Sequence, residues 1–214
     1  FFDESMRSNA PVPILTVNSV APTIMQFGSQ EQKDFYLPKI LAGELHFAIG
    51  YTEPEAGTDL ASLKTRAVRD GDEYVINGQK IWTSGGKDAD WGLMLARTDR
   101  TAPKHQGISC ILIDMHQPGV EVRPLKQITG SAEFCEVFFT NVRVPADNLV
   151  GELNTGWQIA QTTLGYERGG NTLSVVTQMQ MGFNRLLEVA GTLRVDGTRA
   201  IDDPVIRRKL GQIA

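Results

Sequence analysis

The residues best equipped for chemistry fall in two short runs, Tyr51-Thr52-Glu53-Pro54-Glu55-Ala56-Gly57-Thr58-Asp59 and Lys80-Ile81-Trp82-Thr83-Ser84-Gly85-Gly86. Each sets hydroxyl side chains beside glycines, and a residue without a Cβ lets a ligand come against the backbone. Thr52, Gly57 and Thr58 could offer hydroxyl and backbone N–H donors to phosphate or heterocycle oxygens. Trp82 precedes Ser84 by two positions, so a flat apolar ring stands beside a hydrogen-bonding hydroxyl. That combination suits a flat heterocycle with a phosphate tail. Taken singly, each part has a plainer reading. The first run could be a turn whose hydroxyls satisfy their own backbone, and a lone Trp is more often core than cofactor wall. The joint pattern is more specific than any member.

A third run, Gly165-Tyr166-Glu167-Arg168-Gly169-Gly170, lies in a helical pattern. Each glycine inside a helix costs up to about 1 kcal/mol relative to Ala. Such a concentration implies a kink, a bulky group close to the backbone, or tight helix–helix packing. Glu167 and Arg168 put an acid and a base at the thinnest part of a mostly uncharged stretch.

The elements that must position these groups follow from patterning. Residues 1–46 read as helical. Ser29 and Gln32 form a capping box ahead of a helix holding Phe35, Leu37 and Ile40, with Pro38 inside it and Gly43 as its stop. From Phe47 to about Leu149 the texture is β. Asp70-Gly71 and Asn77-Gly78 signal tight turns between strands at Leu63–Arg69, Glu73–Ile76 and Gln79–Trp82. Further strands are expected at Gly92–Arg97, Ile108–Asp114, Val120–Gln127 and Phe134–Val144, with Pro145 ending the last. About seven strands at this spacing predict a sandwich or barrel. A helix is expected from Thr155 to about Ala190, capped by Asn154 or Thr155. Another starts near Asp202 or Asp203, with Pro204 in its first turn. The predicted domains are 1–46 (helical), 47–153 (β) and 154–214 (helical).

Composition narrows the functional classes. Hydrophobic residues make up 41% and charged residues 21% of the 214, with a net charge of −4. That is ordinary for a soluble globular protein and gives no reason to expect a nucleic-acid or anionic-membrane partner. Arg207-Arg208-Lys209 reads as a solvated helix face. No apolar run approaches the roughly 20 residues of a membrane span, and the acidic start is not a secretory signal. Cys110 and Cys135 read as reduced core thiols, and His46, His105 and His116 make no metal spacing. The chain starts without Met and stops in a helical pattern, so it reads as part of a longer protein.

Three stretches resemble the acyl-CoA dehydrogenase family in order and spacing. They are Phe47 to Asp59, Gly78 to Ser84, and Asn141-Val142-Arg143-Val144-Pro145; Gly156-Trp157 to Arg168 continues the likeness. The resemblance implies an α+β multidomain fold, with N-terminal helices, a central antiparallel β domain and a C-terminal helical bundle that is truncated here. It implies FAD between the β domain and the bundle, bound by Tyr51, Thr52, Gly57, Thr58, Trp82, Thr83 and Ser84. The Trp82 position packs beside the isoalloxazine ring and the Ser84 hydroxyl lies near its N5. Thr58 and Arg168 are the implied substrate contacts. The implied reaction makes a 2,3-enoyl-CoA from an acyl-CoA thioester, with Glu167 taking the proton and flavin N5 the hydride. Glu167 could instead only pair with a cation, the base then lying beyond residue 214. The alternatives are an oxygen-using acyl-CoA oxidase, which the β-domain motifs barely separate from a dehydrogenase, and a non-catalytic subunit of a heteromeric enzyme, against which the intact Thr52, Thr58, Trp82, Ser84 and Glu167 argue. Implied partners are an electron-transfer flavoprotein and either further copies or a paralogous subunit. The implied location is the cytoplasm of a bacterium or the mitochondrial matrix of a eukaryote. Many relatives carry an acid where this chain has Gly165, and with Gly169 and Gly170 this hints at room for a bulky acyl group.

Overall fold

The computed structural model describes residues 2–8, 10 and 12–213, without the side-chain surroundings of residues 2, 3, 6 and 169–174. The expectation of room beside Gly169 and Gly170 falls outside that description. Two compact units are present, residues 13–167 and residues 1–12 with 168–214.

The N-terminal helices are α1 (Phe2–Arg7), α2 (Ala21–Phe27) and α3 (Gln30–Ala42). Before α2 the segment Leu15–Val20 winds as a π-helix, and the Ala21 N–H reaches back to the Thr16 carbonyl. Such widened turns are frequent at functional sites, and Leu15 here lines the cavity described below. At the start of α3 the Ser29 hydroxyl accepts from the Gln32 N–H at 3.2 Å, and Gln32 Oε1 accepts from the Ser29 N–H at 3.1 Å. Gly43 closes α3 with φ 73°. Pro38 has no N–H for the Asp34 carbonyl, yet α3 continues past it.

The β domain has strands β1 (Phe47–Gly50), β2 (Arg66–Asp70), β3 (Glu73–Ser84), β4 (Trp91–Arg97), β5 (Ile108–Asp114), β6 (Val120–Leu125), β7 (Phe134–Pro145) and β8 (Leu149–Val150). They form one sheet in the order β6-β7-β3-β2-β4-β5-β8, with β1 also on β4. Pairing is antiparallel except for β1 and β2 against β4, which are parallel. The sheet is therefore mostly antiparallel, as expected, with its parallel pairings confined to β4. Alternation along β4 and β5 places Leu93, Leu95, Cys110 and Leu112 in a core shared with Ile24, Ile40 and Ile159. The intervening Met94, Ile111 and Ile113 join Ile76, Val137 and Val142 in a second core. Both faces of the central strands are buried, successive side chains alternating between the two cores.

The expected turn at Asn77-Gly78 is absent. β3 runs straight through it, with a bulge against β7 between Ile76 and Gly78. Two features account for this. A Cβ on Gly78 would lie 2.3 Å from Thr65 Oγ1 and 2.6 Å from its Cα, so the glycine allows a close crossing. Asn77 Oδ1 accepts from the Asn141 N–H at 2.9 Å, spending its side chain on β7. Asp70-Gly71, by contrast, does turn β2 into β3, with Gly71 at φ 60°.

Helix α4 (Gly156–Thr192) is one continuous helix through Gly165 and Gly169-Gly170. In the second unit a hairpin of β9 (Arg194–Val195) and β10 (Thr198–Arg199) leads to α5 (Pro204–Ile213). The sequence reading missed this hairpin, although Asp196 and Gly197 both take positive φ, as a tight hairpin turn requires. Asp203 Oδ1 accepts from the Val205 and Ile206 N–H groups, which starts α5 where Pro204 predicted.

Candidate active site

A cavity of about 350 Å³ opens in the 13–167 unit. Its walls include Tyr51, Thr52 and Gly57 from the first run, Trp82 and Ser84 from the second, and Glu167 from α4. Six positions singled out in sequence therefore converge on one space. The two runs are tied directly, because the Ile81 N–H donates to the Thr52 carbonyl at 2.9 Å.

Trp82 is the most unusual residue of the site. It has φ 59° and remains 56% exposed. Left-handed backbone is an outlier for a bulky side chain and costs on the order of 1–3 kcal/mol. It arises at a second irregularity of β3, where the register against β7 shifts between Lys80 and Thr83. The kink turns the indole outward, edge-on to Phe134 at 6.0 Å and 86°. It also turns Thr83 inward, where the side chain is fully buried and does not line the cavity. Ser84 returns to the cavity side and is exposed. At Gly57 an added Cβ would find only Thr52 Cγ2, at 3.8 Å. Thr58, beside it, is exposed and outside the cavity lining.

Tyr51 is buried, and among the described residues its hydroxyl makes no well-formed hydrogen bond, although the Thr163 hydroxyl lies near it. The nearby Thr163 hydroxyl is engaged by Thr23 Oγ1 and the Ile159 carbonyl, each at 2.9 Å. Burial holds the Tyr51 phenol well above its ordinary pKa, and Cys110 and Glu167 push the same way. Glu167 is half-buried on the cavity wall, one turn of α4 beyond Leu164, which also lines it. Arg168 follows as an exposed residue of the other unit.

Beneath the cavity lies a pair that sequence reasoning passed over. Lys80 is fully buried, and its Nζ donates to Glu53 Oε1 at 2.8 Å and to the Tyr51 carbonyl at 3.1 Å. Glu53 also accepts from the Lys64 and Thr65 N–H groups. Burial works against the Glu53 carboxylate, but Lys80 and these donors outweigh it and hold its pKa below 4.5. Burial draws the Lys80 ammonium down to about 8, against the pull of Glu53. The carboxylate is held by two backbone N–H groups as well as by Lys80, and on that ground the pair is ionised at neutral pH. The available signal was a Lys at an inward position of a strand and a Glu in a turn with no exposed partner. Leu15, Ile49, Leu60, Ile81 and Leu164, also in the wall, carried no such signal.

Domain signatures of one family cover nearly the whole chain. The acyl-CoA dehydrogenase N-terminal domain matches residues 1–44, the middle domain 48–142 and the C-terminal domain 154–214. The chain belongs to the acyl-CoA dehydrogenase family. Acyl-CoA dehydrogenase FadE29 of Mycobacterium tuberculosis is 44% identical over 213 residues, which are 100% of this chain and 54% of that protein. A solved structure named Tcur3481-Tcur3483 steroid ACAD is 45% identical with a TM-score of 0.87, covering 99% of this chain and 53% of that one. The ChsE4-ChsE5 complex from M. tuberculosis is 42% identical with a TM-score of 0.82, covering 99% and 54%. The chain thus spans about half the length of the relatives it matches. Among the described residues no helix is long and apolar enough to cross a membrane.

The residues present fit the FAD that the family implies. An exposed indole on a strained backbone, an exposed serine hydroxyl and open space over Gly57 share a cavity of the size that takes small ligands, about 300–1,000 Å³.

Proposed function

We propose that the protein containing this chain is an FAD-dependent acyl-CoA dehydrogenase that makes a 2,3-enoyl-CoA, with Glu167 as the base. The observation that carries this reading is Glu167 on the wall of the same cavity as Trp82 and Ser84. Thr52 and Gly57 offer donors to the cofactor, Trp82 an apolar wall, and the Ser84 hydroxyl a hydrogen bond. FAD, when bound, supplies the hydride acceptor. Glu167 takes the proton from the carbon next to the thioester carbonyl, and a half-buried carboxylate keeps a route for releasing it. The extent of α4 supports this role, since Leu164 and Glu167 present consecutive turns to one space.

The acyl group is proposed to be bulky. A Cβ added at Gly165 meets nothing within 4 Å, and the similar steroid ACAD is named for a polycyclic class. An electron-transfer flavoprotein is the proposed acceptor, and a paralogous subunit the proposed partner, by analogy with the ChsE4-ChsE5 complex.

The test is Glu167→Gln in the full-length protein, mixed with straight-chain and steroid-derived acyl-CoAs. Flavin content should survive while substrate-dependent bleaching slows by about 100-fold or more. Bleaching at the wild-type rate would remove Glu167 from the role of base.

A further inference from the structure

On the far side of the turn Leu60–Ser62 lies a second cleft, of about 410 Å³, lined by Leu63, Lys64, Arg66, Arg97 and Arg100. Its lining carries no acid. Arg66 stands directly opposite Arg97 across the β2–β4 pairing. Like charges opposed on neighbouring strands are destabilising, and here they occur in a chain whose net charge is −4. Arg97 is half-buried and fixed: its guanidinium donates to the Ala61 and Lys104 carbonyls. Lys64 pairs with Glu55, while Asp99 lies near Arg97 with one carboxylate oxygen taking the Thr101 and Ala102 N–H groups. Among the described residues, Arg66 and Arg100 form no ion pair.

The arrangement has no evident structural use, but it matches an anion. Guanidinium groups offer planar forks of N–H donors that meet phosphate oxygens in pairs. A preformed cleft with one fixed and two unpaired arginines offers more than one such fork at once. We propose that this cleft binds phosphate groups of a phosphate-bearing ligand. Two sources share this chemistry. One is the nucleotide end of the CoA thioester, since Leu60 lines the catalytic cavity and Leu63 this cleft; that source rests on the function proposed above. The other is a separate phosphate compound, which does not depend on it.

The experiment uses the full-length protein with Arg66→Gln, Arg100→Gln and the double variant, avoiding Arg97 because it braces the backbone. Thermal melting and flavin content check the fold, and Arg100→Gln, in an exposed loop, serves alone if the double variant is unstable. Binding of pyrophosphate, CoA and 3′-dephospho-CoA is measured at low and high salt. Pyrophosphate binding should fall about tenfold or more in the double variant, and its salt dependence should flatten. If CoA weakens in parallel, and dephospho-CoA is less affected, the ligand is the substrate's nucleotide, and KM rises while kcat holds. If pyrophosphate weakens and CoA does not, the site serves a separate phosphate compound. If no acyl-CoA bleaches the flavin but pyrophosphate binding still depends on the arginines, the catalytic reading fails and the site stands. Equal binding of pyrophosphate and CoA by wild type and variants, or no binding of either, overturns the proposal.

Discussion

At the scale of single residues, the site rests on a buried charge pair. Lys80 and Glu53 bridge the two cavity-lining runs from behind, one through the Tyr51 carbonyl and the other through the Lys64 and Thr65 N–H groups. Removing one partner leaves the other charge buried without compensation, which costs about 3–5 kcal/mol. Lys80→Met or Glu53→Gln alone should therefore lower stability in urea denaturation by that order. Combining them should recover much of the loss, because an uncharged pair has no desolvation to offset. Strictly additive losses would show that the two side chains do not act as a pair. The pH dependence follows from Glu53. Its folded pKa lies below the ordinary 4.5, so its stabilisation is complete above 4.5 and is lost as pH falls through the folded value. Wild type should lose stability over that acid window more steeply than the Glu53→Gln/Lys80→Met double variant. Equal slopes would place the acid sensitivity elsewhere.

At the scale of elements, the two kinds of glycine in this chain make opposite demands. Gly78 lets β3 cross Thr65 where a Cβ would meet backbone at 2.6 Å. Gly78→Ala should destabilise by about 1–3 kcal/mol through overpacking, and should disturb the strand that carries Trp82 and Ser84. Gly165 stands in the interior of α4 with nothing near its would-be Cβ. Gly165→Ala in the 214-residue chain should stabilise by up to about 1 kcal/mol through helix propensity. Thermal melts of the two variants moving in the same direction would contradict this contrast. If Gly165 makes room for a bulky acyl group, the same substitution in the full-length protein should raise KM for the bulky substrate more than for a small one.

At the scale of the whole molecule, α4 carries more apolar surface than this chain covers. Phe183 and Leu187 pack on the small core of Ala190, Ala200 and Leu210. Val175, Val176 and Met179 are exposed by 49%, 58% and 69%, and Leu186 and Val189 by 44% and 48%. One helix can bury one stripe against one neighbour, and the remaining faces require others. Expressed alone, the 214-residue chain should self-associate, bind a hydrophobic dye and hold FAD weakly. A monodisperse monomer in sedimentation, with full flavin occupancy and no dye binding, would contradict this expectation.

Local chemistry made part of this protein legible in sequence. Ser29 with Gln32, Gly43, Asp70-Gly71 and Pro204 act within a turn of themselves, so their residue types were enough to place caps and turns. The alternation of β4 and β5 was readable for the same reason, since a strand's period is set by its own backbone. The two cavity-lining runs stood out because unusual residues were concentrated there. Tertiary structure decided the rest. Asn77-Gly78 has the sequence of a turn, yet contacts with Thr65 and Asn141, distant in the chain, made it a bulge. The face of β3 shown by Trp82 and Thr83 depended on a register shift against β7, and slipping by a single residue exchanges the two faces of a strand. Lys80 with Glu53, and Arg66 opposite Arg97, are partnerships between residues far apart in sequence, and no local pattern announces which distant charge will meet which.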